Sequence, residues 1–318
     1  MLKVLLVGAG QIGSRYLQGL ICSTLNISIT VVDPLDISLN VSKKRWIEAG
    51  GDQSLHTISW NKELPSNKER FDLIIVTTSS KGRATLIKKI ASNVSGDYWV
   101  IEKVLAQSKK ELDIIQVATT HAKEVWVNMP RRVMSWHQKL RLKFYQKGPL
   151  KVKNTGGLWG LACNSIHFID LISWWTGESL LSLNTSKLNN TWLKSKRLGY
   201  YEVSGELLAT FSNGTQLILE SQLDAKEDIM KIEIKNENTW VIDEINGVAH
   251  DSKKNVLEGK IKLQSELAGP MIAKIFSSGT CELTPLKESI AQHEVFLIAM
   301  LKHWNTSNKC NDELVPIT

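Results

Sequence analysis

Six residues near the start of the chain, Gly8-Ala9-Gly10-Gln11-Ile12-Gly13, follow an apolar run and open a segment of helical periodicity. In that setting the first glycine permits a tight turn, the second lets a pyrophosphate approach the backbone, and the third allows close helix–strand packing. The helix N-terminus then offers amide donors and partial positive charge to phosphate oxygens. Asp33 stands twenty residues after Gly13, at the end of the next apolar run, where a carboxylate can accept the hydroxyls of an adenosine ribose. Together these residues predict dinucleotide binding through Gly8, Gly10, Gln11, Ile12, Gly13 and Asp33, with Thr77 closing a further strand of the same unit. A carboxylate at Asp33 repels a 2′-phosphate, and Pro34-Leu35-Asp36 supplies no adjacent arginine, so NAD is favoured over NADP. The Lys43–Arg45 cluster is the feature that speaks for NADP.

A second chemistry sits at Ile101-Glu102-Lys103-Val104-Leu105-Ala106. This stretch ends an apolar run, and the carboxyl edge of an open α/β sheet is where ligands bind. A lysine there can donate to a carbonyl or alkoxide oxygen while hydride moves to or from the attached carbon. Glu102 and Lys103 are therefore candidates on the cofactor side, and Lys103 on the substrate side as well.

These groups must be positioned by elements, and the first 125 residues alternate β-branched apolar runs with amphipathic segments. The runs are Lys3–Val7, Ile27–Asp33, Phe71–Thr77 and Tyr98–Ile101; helical periodicity falls around 11–22, 41–49, 83–94 and 108–121. That is the βαβ rhythm of a parallel sheet buried on both faces. Beyond Arg132 the pattern predicts a strand at Lys139–Gln146 and a helix at Asn164–Thr176. Strands follow at Glu206–Ser212 and Gln216–Ser221, joined across Asn213-Gly214 as a hairpin. Further strands are expected at Met230–Lys235, Thr239–Ile245 and Lys260–Gln264, and a last helix at Pro285–Trp304 with Thr284 as N-cap and Pro285 at its first position. The fold class is α/β: an N-terminal Rossmann domain over 1–125 and a C-terminal α+β domain over 126–318, built on a mostly antiparallel open sheet.

The composition agrees. A length of 318 residues suits two domains, and 42% hydrophobic with 22% charged residues is ordinary globular usage. No apolar run approaches the ~18 residues that span a bilayer, and the four cysteines, Cys22, Cys163, Cys281 and Cys310, form no C-x-x-C pair, so a cytoplasmic protein with reduced thiols and no metal site is expected. The net charge of +7 fits a nucleic acid, an acidic membrane or an anionic small molecule. Composition alone does not choose among these, but the basic residues form no sustained stripe and no recognisable nucleic-acid module, so a nucleic-acid partner is not expected.

With these residues in view, the chain resembles the Gfo/Idh/MocA family of nicotinamide-dependent sugar oxidoreductases. Glu102-Lys103-Val104-Leu105-Ala106 is similar to the family's E-K-P-L-A, with valine in place of proline. Asn128-Met129-Pro130-Arg131-Arg132 looks like its Asn-x-Arg-Arg entry into the second domain. Gly156-Gly157-Leu158-Trp159 through Cys163-Asn164-Ser165-Ile166-His167-Phe168-Ile169-Asp170 looks like its glycine-rich D-x-x-x-H-x-x-D helix start, with Cys163 at the first aspartate.

The resemblance implies a substrate held between the domains over the nicotinamide, and proton handling shared by Lys103 and His167. An imidazole ordinarily titrates near about 6.5, which suits proton exchange with a sugar hydroxyl. Asp170, one turn on, is placed to orient His167 or to bond backbone. Asn128, Arg131, Arg132 and Asn164 complete the expected substrate site. Arg131 and Arg132 read either as salt-bridged groups or as recognition of a carboxylate or phosphate. The expected substrate is a sugar, nucleotide sugar or sugar-derived acid, in a setting such as bacterial surface-polysaccharide synthesis, and the expected assembly is a homodimer or homotetramer. The competing reading, prompted by Val104 and Cys163, is a non-catalytic NAD-binding scaffold or sensor.

Overall fold

The computed structural model describes residues 1–66, 68–223, 231–235 and 238–318. In chain order the elements of the N-terminal half are β1 (Leu2–Val7), α1 (Gln11–Ile21), β2 (Ile27–Val32), α2 (Asp36–Glu48), β3 (Thr57–Asn61), β4 (Arg70–Val76), α3 (Arg83–Asn93), β5 (Ser95–Ile101), α4 (Lys109–Ala118) and β6 (Glu124–Val127). They continue as α5 (Ser135–Phe144), β7 (Lys151–Gly156), α6 (Leu161–Thr176), β8 (Leu180–Leu188), β9 (Leu193–Lys194), β10 (Tyr201–Glu202), β11 (Gly205–Phe211) and β12 (Gln216–Ser221). The last are β13 (Lys231–Lys235), β14 (Trp240–Asp243), β15 (Val248–Asp251), β16 (Val256–Glu258), α7 (Gln264–Ser278), β17 (Thr284–Pro285) and α8 (Leu286–Asn308). Of the strand expected at Met230–Lys235, Met230 lies outside the described residues.

The first unit comprises Met1–Leu105, Lys110–Pro130 and Lys262–Leu286. Its sheet runs in the order β17-β6-β5-β4-β1-β2-β3, parallel except for β17, which pairs antiparallel with β6. This is the doubly wound order that places a ligand crevice where β1 and β4 part company. The strands are apolar on both faces because helices cover both: Val4, Leu5 and Leu6 of β1 and Leu73 to Val76 of β4 are fully buried. The strand β3 was not foreseen, since Thr-Ile-Ser-Trp-Asn is an edge strand with no long apolar run.

The second unit comprises Ala106–Lys109, Arg131–Ile261 and Lys287–Thr318. Its eight strands are ordered β16-β15-β14-β13-β7-β12-β11-β8, antiparallel except where β7 runs parallel to β12. One face is apolar, with Val152, Leu207, Ala209, Phe211, Leu217 and Leu219 buried, and α6 lies against β12. Ion pairs stand on the other face, Lys153 with Glu220 at 2.7 Å and Lys187 with Glu206 at 2.8 Å. The hairpin across Asn213-Gly214 is formed as expected, with Thr210 opposite Gln216.

Four expectations are corrected. Lys139–Gln146 lies mainly in a helix, α5, because its buried residues, Trp136, His137, Leu140 and Phe144, follow the 3.6-residue period that the local Lys-Leu-Arg-Leu alternation conceals. Lys260–Gln264 forms no strand and instead leads into α7. That helix returns to the first unit: a Cβ on Gly19 of α1 would lie 2.7 Å from the Ser265 carbonyl, and one on Gly269 would lie 2.7 Å from the Gly19 carbonyl, so the two helices cross backbone to backbone. The division is consequently discontinuous, unlike the expected cut at 125/126. Thr284 and Pro285 do not cap α8 but pair with Val127 and Trp126 as β17. Among the described residues no helix is long and apolar enough to cross a membrane.

Candidate functional site

In the first unit β1 ends at Val7 and the chain turns at Gly8 with φ of +101°. A Cβ on Gly8 would lie 3.0 Å from both the Thr77 hydroxyl and the Thr78 amide, and one on Gly13 only 1.9 Å from the Gly8 carbonyl oxygen. Gly10 is the opposite case: no atom lies within 4 Å of where its Cβ would be. Two glycines are thus closed by protein while the third faces open space beside the first turn of α1, which carries no acidic side chain. Thr77 fastens the turn, its hydroxyl donating to the carbonyls of Gly8 at 2.5 Å and Val7 at 3.2 Å.

Asp33 follows β2 and is 8% exposed. One carboxylate oxygen accepts the Ala9 amide at 2.8 Å and the other the Leu35 amide at 2.9 Å, so Asp33 also ties down the glycine loop. It lines a cavity of about 530 Å³ together with Gly8, Pro34, Lys62, Thr78 and Lys89. Arg45 of α2 donates to the Gln11 amide oxygen at 2.8 Å and the Ser14 hydroxyl at 2.6 Å, placing a cation beside the N-terminus of α1. The Lys43–Arg45 cluster was its signal in the sequence; that it binds α1 needed the fold.

At the end of β5, Glu102 is 8% and Asn128 is 5% exposed. The Asn128 amide donates to the carboxylate of Glu102 at 2.6 Å and to the Gln264 side chain at 2.9 Å, so Asn128 serves Glu102 in the first unit. Burial pushes the Glu102 carboxyl above its ordinary value, outweighing the Asn128 hydrogen bond and the charges of Arg83 and Lys103. Tyr16 is fully buried nearby, and burial followed by the Glu102 charge holds its hydroxyl well above the usual tyrosine range. Lys103 is half-buried, and the peptide joining it to Val104 is cis.

In the second unit α6 starts after Gly160. Its first turn is capped from β10: the Glu202 carboxylate accepts the amides of Ala162 at 2.8 Å and Cys163 at 3.3 Å. Sequence reasoning missed Glu202, because only the folded sheet brings it to α6. The Asn164 side chain donates to the Trp159 carbonyl at 2.8 Å, and the Cys163 thiol to the Gly160 carbonyl at 3.5 Å. His167 follows one turn after Cys163 and is half-buried.

Asp170 pairs in two-pronged fashion with Arg132, at 2.9 and 2.6 Å. Arg132 also reaches Glu288 at 3.0 Å, and its side chain is only 4% exposed. Of its two readings the salt-bridged one describes this geometry, since a guanidinium so enclosed has no face left for a substrate anion. Arg131 likewise forks onto Glu244, at 2.8 and 2.6 Å, and stacks 4.4 Å above Phe168. The His137 ring donates to the same carboxylate at 3.0 Å. Burial would raise the Glu244 carboxyl, but the charge of Arg131 and hydrogen bonds from His137 and Arg131 bring it down to about 2. Burial lowers His137 below its ordinary value, against the hydrogen bond and charge of Glu244, which raise it. Lys103 belongs to the first unit and His167 to the second.

Neither a protein-family model nor a curated protein sequence matches the chain. Solved structures do. UDP-N-acetylglucosamine 3-dehydrogenase GnnA from Acidithiobacillus ferrooxidans is 13% identical, with a TM-score of 0.66 over 96% of this chain and 97% of that one. The apo scyllo-inositol dehydrogenase from Lactobacillus casei is 14% identical, with a TM-score of 0.66 over 96% of each chain. The chain has the Gfo/Idh/MocA dehydrogenase fold. An oxidoreductase from Agrobacterium radiobacter, solved in complex with NAD+, L-tartaric acid and magnesium, shares this Gfo/Idh/MocA-type architecture at 12% identity, with a TM-score of 0.68 over 93% of this chain and 94% of that one.

Proposed function

We propose that the protein binds a nicotinamide dinucleotide and transfers hydride to or from a hydroxyl-bearing carbon of a sugar, nucleotide sugar or sugar-derived acid. The observation that carries this reading is the glycine cradle: closed at Gly8 and Gly13, open at Gly10, and flanked by the Asp33 carboxylate. Its open side suits a pyrophosphate lying against main-chain amides at the start of α1, where Arg45 adds positive charge. Asp33 is assigned to the ribose hydroxyls, which favours NAD over NADP. A nicotinamide cofactor supplies or accepts the hydride when bound.

The chain's own residues handle the proton. In reduction the ammonium of Lys103 or the imidazolium of His167 donates its proton to the reacting oxygen; in the oxidative direction the neutral amine or imidazole accepts the hydroxyl proton. Asn164, beside His167 on α6, contacts the sugar. Names of the similar structures, a UDP-sugar dehydrogenase and an inositol dehydrogenase among them, support a polyol or sugar substrate. The net charge of +7 favours an anionic one, steered by long-range field rather than gripped by Arg132. Bacterial surface-polysaccharide synthesis and a cytoplasmic homo-oligomer complete the proposal.

Titration of NADH and NADPH fluorescence tests the first half, with tighter NADH binding expected. A screen of UDP-N-acetylglucosamine, inositols and tartrate, followed at 340 nm, tests the second. Turnover is expected to vanish in Lys103→Ala and His167→Ala while NADH binding survives. The second reading, a nucleotide-binding scaffold, is favoured by the thiol of Cys163 at the first turn of α6; it predicts NADH uptake with no turnover of any sugar.

A further inference from the structure

The guanidinium of Arg83 has no place in the reading above, yet it is 1% exposed in the middle of the first unit. It opens α3 on the face shared with Ile87 and Ile90, both fully buried. One terminal nitrogen donates to the carbonyls of Glu102 at 2.6 Å, Val104, and Leu105 at 3.3 Å, and the other donates to the carbonyl of Thr78. A single side chain therefore clamps the main chain on both sides of Lys103 and fastens it to the loop after β4. That loop is in turn bound to the glycine turn through the Thr77 hydroxyl. The three loops at the carboxyl ends of β1, β4 and β5 form one hydrogen-bonded body, and Arg83 links the main chain on both sides of Lys103 into it.

We propose that Arg83 is a positioning residue, whose buried guanidinium holds the Lys103 backbone at a fixed place relative to the glycine cradle. The proposal rests on the reading of Lys103 as the proton-handling lysine. The residue type is demanded by geometry: a planar fork reaches carbonyls of two loops at once, whereas an ammonium is a compact donor that cannot span them. Burying an arginine is costly unless its donors find acceptors, and here both terminal nitrogens of the guanidinium donate to main-chain carbonyls. Displacement of a reacting group by about 1 Å costs on the order of 10²-fold in rate, which sets the expected effect.

The test uses the full-length chain as Arg83→Lys and Arg83→Ala. Amide hydrogen exchange is read by mass spectrometry over 102–105, over 77–79, and over the β11–β12 hairpin of the second unit as control; NADH affinity is read by fluorescence. Exchange is expected to rise at 102–105 and 77–79 in both variants, with the hairpin unchanged and NADH affinity within about threefold of the parent. With whichever sugar the 340 nm screen identifies, kcat is expected to fall about 100-fold in Arg83→Lys at similar KM, and millimolar guanidinium is expected to restore part of it in Arg83→Ala. Unchanged exchange at 102–105 in both variants overturns the proposal, as does a uniform loss of protection over the first unit. If the parent turns over no sugar, the functional reading fails by itself, and the exchange pattern still decides the role of Arg83.

Discussion

Gly10 and Gly13 belong to the same six-residue loop, yet substituting each by alanine has opposite consequences. Gly10 has φ of −68° and ψ of −159°, a backbone conformation open to any residue, and its added methyl would touch nothing in the protein. Folding stability is therefore expected to change by less than about 0.5 kcal/mol. The methyl would instead occupy the space through which a pyrophosphate reaches the amides of α1. Losing one charge-assisted hydrogen bond there costs about 1.5–3 kcal/mol, which weakens NADH binding by roughly 10- to 150-fold. In Gly13→Ala the new carbon would sit 1.9 Å from the Gly8 carbonyl oxygen and 2.8 Å from the Thr77 hydroxyl. A backbone oxygen cannot rotate away, so α1 must shift from β1. Overpacking of this kind costs about 1–3 kcal/mol, and at roughly 2–4 °C per kcal/mol the melting point should drop by about 2–12 °C. Differential scanning fluorimetry and NADH fluorescence titration on the same preparations separate the two effects. A Gly10→Ala protein that binds NADH like the parent would refute the assignment of the open side to a dinucleotide, and a Gly13→Ala protein that melts with the parent would refute the packing argument.

Glu244 titrates at about 2 instead of its ordinary 4.5, so it contributes about 3 kcal/mol that is fully present above pH 4.5 and is lost as pH falls toward 2. Urea unfolding should accordingly show Glu244→Gln destabilised at pH 7, with its gap from the parent narrowing between pH 5 and pH 3; a gap independent of pH would contradict the ion-pair account. Burial pushes the Cys281 thiol up to about 12, whereas Cys22 is exposed. Iodoacetamide at pH 8, read by peptide mass spectrometry, should therefore label Cys281 at least about 100-fold more slowly than Cys22.

The first unit was legible because its strands are buried on both faces and its cradle is local: four of its six parallel strands, β1, β2, β4 and β5, coincide with apolar runs, and the cradle's glycines and Asp33 lie in one βαβ unit. What escaped was whatever depends on distant segments meeting. The helix α7 was not expected, and Gly269 is what lets it lie against Gly19 of α1. In the second unit, Lys-Leu-Arg-Leu-Lys in α5 satisfies a two-residue period locally, and partners distant in sequence, Trp175 of α6 and Trp240 of β14 among them, select the helical one.

The charged residues divide in the same way. Arg131 and Arg132 were visible as a basic pair, but whether a guanidinium is available to a ligand depends on carboxylates far along the chain, and Glu244 and Asp170 take both. Arg83 is the informative case, because its signal was present: an arginine phased with Ile87 and Ile90 lies on the face of α3 that must be buried. A cation on a buried face needs acceptors, and with no acidic residue in the first turn of its own helix these had to come from elsewhere. The carbonyls of Glu102, Val104 and Leu105 supply them, so the same side chain that breaks the apolar pattern of α3 is the one that fixes the lysine-bearing loop at the end of β5.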